Sequence, residues 1–166
     1  MNETLKRALS GAVYVAVMWM GTSYSELSFH ILFSVILVVC LYEMWKLRKG
    51  KTKILAFIYV LSPLLLVHLY TQKIILFIFI LTWTFDTFAY LFGVKFGKHK
   101  IMPFISPKKS WEGFSGGFAF TILASYLSYS YFGFHSFHEV LIISIILPFT
   151  ATLGDFIESY YKRQSG

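Results

Sequence analysis

The chain has 166 residues, of which 57% are hydrophobic and 14% charged. Soluble domains carry roughly 25% charged residues, so the polar surface here is too small to coat a water-soluble globule. The net charge of +7 does not point to nucleic acid, because the basic residues flank apolar runs and form no single stripe. It fits a bias of basic loops to the cytoplasm and attraction to anionic lipid headgroups. Cys40 is the single cysteine, which excludes an internal disulfide and a Cys-based metal site.

With no Ser/Gly-rich, Pro-rich or charged linker, residues 1–166 read as one membrane domain, with N-terminal helices over 1–73 and the remainder over 74–166. No charge lies between Arg7 and Glu26, between Glu26 and Glu43, or between Lys53 and Lys73. Residues 74–94 hold one, Asp86, and two further charge-free stretches run from Gly113 to His138 and from Val140 to Gly154. A spanning helix needs about 20 mostly apolar residues. Six spans are therefore predicted, near 8–25, 27–45, 54–72, 74–94, 111–133 and 137–157, giving an all-α polytopic bundle. Lys6 and Arg7 ahead of the first span resemble a signal-peptide start, but no convincing small-x-small cleavage site follows and the later spans need no leader, so an uncleaved first span is expected.

Loop charge sets the orientation. With the N-terminus inside, Lys6 and Arg7 fall inside, as do Lys46, Arg48, Lys49, Lys51 and Lys53. So do Lys95, Lys98, Lys100, Lys108 and Lys109, and then Lys162 and Arg163. Of the 15 Lys and Arg residues only Lys73 is left outside, and both termini are expected in the cytoplasm.

Three features are not explained by spanning a membrane. Asp86 lies eight residues, or about 12 Å, from the cytoplasmic end of the fourth span. A mid-span Asp costs about 2.5–3.5 kcal/mol on insertion scales, so it is either functional or paired with a neighbouring helix for folding. In the loop from Lys95 to Trp111, Ser106-Pro107 reads as an N-cap and first helical position, with Lys108 and Lys109 in the first turn. The helix dipole disfavours cations there, and a bound phosphate would reverse that cost. A solvated basic loop obeying topology is the equal alternative. Gly113 and Gly117, with Gly116, form a G-x-x-x-G step that reads first as close helix packing. At the inner end of the sixth span, Asp155, Glu158, Ser159 and Lys162 share one helix face. Carboxylates at a helix C-terminus suggest a cation such as Mg²⁺, although Glu158 has an alternative in an ion pair with Lys162. His30, His68, His99, His135 and His138 show no shared metal spacing, and Trp45 and Tyr70 fit an interfacial aromatic belt.

The run Trp83 to Tyr90 (WTFDTFAY), then Phe96-Gly97-Lys98, then Ser106 to Phe114 (SPKKSWEGF) with Gly116-Gly117, resembles the phosphatidate cytidylyltransferases, or CDP-diacylglycerol synthases. Gly154-Asp155, Glu158-Ser159 and Lys162-Arg163 are similar to that family's G-D-x-x-E-S-x-x-K-R motif. The resemblance covers roughly half the chain, from Trp83 onward. It implies that phosphatidate and CTP give CDP-diacylglycerol and pyrophosphate, with Mg²⁺, alone or with a second cation, as cofactor. It implies Asp155, Asp86 and Lys109 as catalytic residues and Asp155 with Glu158 as metal ligands. Ser106, Lys108, Lys109, Trp111, Glu112, Lys162 and Arg163 are implied substrate contacts. The expected partners are CTP, phosphatidate and the bilayer, together with a second copy of so short a bundle as a homodimer. The expected location is the cell (inner) membrane, multi-pass, with the site facing the cytoplasm.

The family's later G-H-G-G-x-x-D-R-x-D motif does not follow Arg163, so residues 74–166 are expected to be a catalytic core lacking that motif and inactive or very weak alone. Two alternatives stand beside this expectation. A CTP-dependent polyprenol or phytol kinase would release CDP instead of pyrophosphate, and a non-catalytic membrane homologue would turn over nothing.

Overall fold

A computed structural model describes residues 3–47 and 53–164. Six helices and one short hairpin follow in the order α1 (Glu3–Ser23), α2 (Glu26–Leu47), α3 (Lys53–Val67), α4 (Gln72–Phe96), β1 (Lys100–Met102), β2 (Ser106–Ser110), α5 (Trp111–Ser128) and α6 (Phe137–Gln164). Three of them, α2, α4 and α6, are long and apolar enough to cross a membrane. Along α2, Leu27, Ile31, Val35, Val38 and Tyr42 are all exposed. These residues fall on one face of the helix, an uncovered apolar surface of the kind that lipid solvates.

Helix ends differ from the hydropathy pattern where local chemistry overrides it. The third helix stops at Val67, short of 72, because His68, Leu69 and Tyr70 donate to carbonyls three residues back and tighten the chain into a final turn. The fifth stops at Ser128, short of 133. Gly133, at φ 83°, then takes the left-handed conformation that the turn into α6 requires. At the start of α2, Ser25 and Ser28 cap reciprocally, each hydroxyl accepting the other's backbone N–H at 3.0 Å.

The chain forms two compact units, Met1–Leu76 and Phe77–Gly166. In the first, α2 packs on both α1 and α3. His30 and His68 meet there through their Nδ1 atoms at 2.7 Å, with Phe29 edge-on to both rings. In the second, α5 packs on α6, and Ser144 donates to Ser125 at 2.6 Å between the two helices. Both hydroxyls are fully buried, so their mutual bond removes the penalty of burying either alone.

The α4–α5 contact explains the glycines. A Cβ on Gly117 would lie 2.8 Å from the Phe85 carbonyl oxygen, and one on Gly113 would lie 2.6 Å from that of Ala89. The G-x-x-x-G step is thus a close-packing device, as its spacing suggests. Phe88 and Phe120 stack at 3.7 Å between ring centroids beside it.

One expectation is overturned. Ser106 is not a helix N-cap and Pro107 does not open a helix, because Ser106–Ser110 is the strand β2, antiparallel to β1 with Lys100 opposite Ser110 and Met102 opposite Ser106. Pro107 has no N–H to donate, which a strand of a two-stranded sheet tolerates. The cap is Ser110, whose extended backbone (φ −130°, ψ 155°) precedes α5 and whose hydroxyl accepts the Gly113 N–H at 3.2 Å. Lys108 and Lys109 therefore lie on a strand outside the helix, and the dipole argument for an anion at that turn does not apply to them.

Candidate active site

Asp86 sits in the middle of α4, Lys108 and Lys109 on β2, and Asp155 four residues past the middle of α6 on the way to its C-terminal end. Separate elements bring these charges to one cavity of about 380 Å³ within the second unit. Its polar lining comprises Asp86, Ser106, Lys108, Lys109, Ser110, Thr152 and Asp155. Phe85, Ala89, Tyr90, Ile101, Gly113 and Phe114 complete the wall. The lining thus combines two lysines and three hydroxyl groups with two carboxylates, and the rest is mainly apolar and aromatic.

The Lys109 ammonium forms an ion pair with the Asp155 carboxylate, joining the hairpin to α6. Its side chain is 28% exposed and that of Asp155 44%. The same ammonium lies 5.7 Å from the centroid of the buried Phe156 ring, within cation–π range. Lys108 is more exposed, on the same strand.

Glu112 is held differently. Its carboxylate accepts the backbone N–H groups of Lys98 and His99 at 3.2 Å and meets His99 Nδ1 at 2.6 Å. It lies at the loop end of α5, outside the three membrane-length helices. The bond from the His99 side chain, above all, holds its carboxyl down at about 2. Trp111 is half exposed and packs edge-on against Phe114 at 6.1 Å.

Of the expected site residues, the cavity gathers Asp86, Ser106, Lys108, Lys109 and Asp155. Trp111 and Glu112 do not line it, and neither does Glu158, exposed a turn beyond Asp155. The side chains of Lys162 and Arg163 lie outside the described residues, as do Arg48, Lys49 and Lys51. Three lining residues that carry a hydroxyl, Tyr90, Ser110 and Thr152, were not among the expected site residues. Helical period would have found two of them, since Tyr90 follows Asp86 by four and Thr152 precedes Asp155 by three.

Two carboxylates, Asp86 and Asp155, face the cavity, and no cluster of three or more metal-ligating side chains occurs among the described residues. That donor set suits Mg²⁺, which takes one or two carboxylates and leaves its remaining positions to water and substrate phosphates. It does not suit a cation that needs an all-protein cage.

Residues 68–166 match the model of a family described as the cytidylyltransferase family. A phosphatidate cytidylyltransferase of Staphylococcus epidermidis is 41% identical over 95 residues, covering 57% of this chain and 36% of that protein. That of Staphylococcus saprophyticus is 43% identical over 93 residues, covering 55% of this chain and 36% of its own. That of Staphylococcus aureus is 40% identical over 93 residues, with the same two shares. The matched stretch thus spans 36% of the length of these relatives.

Proposed function

Because the chain belongs to the cytidylyltransferase family, we propose that it carries the nucleotide site of a CTP:phosphatidate cytidylyltransferase. The observation that carries this reading is the cavity where Lys108 and Lys109 of the hairpin face Asp86 of α4 and Asp155 of α6. In the reaction a phosphate oxygen of phosphatidate attacks the α-phosphorus of CTP. The new P–O bond forms as the bond to the β-phosphate oxygen breaks, giving CDP-diacylglycerol and pyrophosphate.

Such a transfer depends on positioning and charge neutralisation more than on covalent help from the protein. Lys108 and Lys109 offer ammonium donors to the triphosphate, and the Ser106 hydroxyl offers a further donor beside them. Asp86 and Asp155 are the residues that would hold Mg²⁺, which neutralises phosphate charge when bound. Phe85 and Phe114 give the cavity an apolar wall beside these charged groups. In the orientation set by loop charge, the hairpin faces the cytoplasm, where CTP is found, while phosphatidate enters from the bilayer.

The test is incorporation of CMP from labelled CTP into phosphatidate, in detergent–lipid micelles with Mg²⁺, for the chain and its Asp155→Ala variant. The chain alone is expected to give little or no label; label in lipid with release of pyrophosphate, lost in the variant, would establish the transfer and overturn that expectation. Release of CDP with a phosphorylated alcohol would instead make the chain a lipid kinase. Binding of CTP without turnover, unaffected by Asp155→Ala, would overturn the assignment of Asp155.

A further inference from the structure

The hairpin that carries Ser106, Lys108 and Lys109 has a neck, and the neck is tied on both sides. From α5, the Glu112 carboxylate accepts the N–H groups of Lys98 and His99, and its Oε1 meets the His99 ring nitrogen at 2.6 Å. In the opposite direction the Trp111 N–H donates to the His99 carbonyl at 2.9 Å. Residues 98–99 and 111–112 therefore clasp each other reciprocally. Everything between them is the hairpin, and nothing in the three-residue β1 or five-residue β2 is long enough to be stable unaided.

We infer that Glu112 is a positioning residue: with His99 it clasps the base of the β1–β2 hairpin and so sets where Lys108 and Lys109 stand against the cavity. The resemblance to the cytidylyltransferases places Glu112 among substrate contacts, but its carboxylate is turned to the loop and does not line the cavity. A carboxylate also has a specific advantage in this role. It has acceptor capacity for two backbone N–H groups and an imidazole together, which no neutral side chain matches. The inference rests on the proposed function only for its kinetic consequence, because the clasp itself is read out without turnover.

The experiment is amide hydrogen exchange on the full chain in lipid nanodiscs, for the parent, Glu112→Gln, Glu112→Ala and His99→Ala. Glu112→Ala is expected to speed exchange at residues 100–110 about tenfold or more while α4 and α6 keep their protection. Glu112→Gln keeps one acceptor and is expected to fall between the parent and Glu112→Ala. His99→Ala, which deletes only the side-chain bond, shifts the hairpin in the same direction and serves if Glu112→Ala does not fold. Where the chain turns over CTP, Glu112→Ala raises KM for CTP by about tenfold and Glu112→Gln recovers most of the loss. Unchanged exchange at 100–110 in Glu112→Ala, or in His99→Ala if the former does not fold, would overturn the inference. So would a Glu112→Gln variant as inactive as Glu112→Ala with a parent-like hairpin, since the charge would then act on substrate or metal. Release of CDP in place of pyrophosphate, with the exchange pattern as expected, would count against the cytidylyltransferase reading and leave the clasp standing.

Discussion

Asp155 and Lys109 form an ion pair whose two side chains keep water access, 44% and 28% exposed. Pairs of that kind contribute about 0–1 kcal/mol to stability. Asp155→Ala is therefore expected to leave the thermal midpoint within a few degrees of the parent, measured in detergent by the unfolding of helix signal. If the proposed transfer holds, the same variant loses about 100-fold or more of CMP incorporation. A collapse of both together would mean that Asp155 serves the fold. The charged residues of the site were legible in the sequence because each was out of place. Asp86 interrupts an apolar span, and Asp155 closes the charge-free run from Val140, although α6 continues to Gln164, well past 157, so the helix-end argument for a cation at Asp155 and Glu158 does not hold. Glu112 was not legible, since an acidic residue in the first turn of a helix is ordinary and its partners, Lys98 and His99, lie 13 to 14 residues earlier.

At the scale of elements, hydropathy accounts for α2, α4 and α6, three of the six expected spans, since a helix satisfies its own backbone hydrogen bonds and each of these is long and apolar enough to cross a membrane. The hairpin does not follow from hydropathy. Ser106 to Ser110 reads SPKKS, with no alternation of apolar and polar residues to announce a strand, and Ser-Pro is also a valid helix start. Tertiary pairing with β1 decides between them. The cap that does operate predicts a measurable cost: Ser110→Ala removes the acceptor for Gly113 and should lower stability by about 1 kcal/mol in chemical denaturation. The glycines give a sharper contrast. Gly117→Ala forces a Cβ to 2.8 Å from the Phe85 carbonyl oxygen and should cost about 1–3 kcal/mol. Gly11→Ala meets nothing within 4 Å and should leave stability unchanged or raised, in the same measurement. Equal effects at the two positions would contradict the close α4–α5 packing.

At the scale of the molecule, the orientation read from loop charge has a direct test. In a Cys40→Ser background, Lys73→Cys should react with an impermeant thiol reagent added outside intact cells, and Lys98→Cys should react only after the membrane is opened. The reverse pattern would contradict the proposed cytoplasmic face of the site. The bond between hairpin and α6 has one more consequence, which concerns order of arrival. With Lys109 and Asp155 joined, one cation and one anion of the cavity lining neutralise each other. An incoming anion that draws Lys109 away leaves Asp155 with an unopposed charge, and an incoming cation at Asp155 does the same for Lys109. The cost of parting the pair is met only once, whichever guest comes first. By reciprocity the two guests must then strengthen each other's binding by the same factor. A cation and a polyphosphate would each ease the other's loading, by no more than the roughly 1 kcal/mol that such a pair is worth.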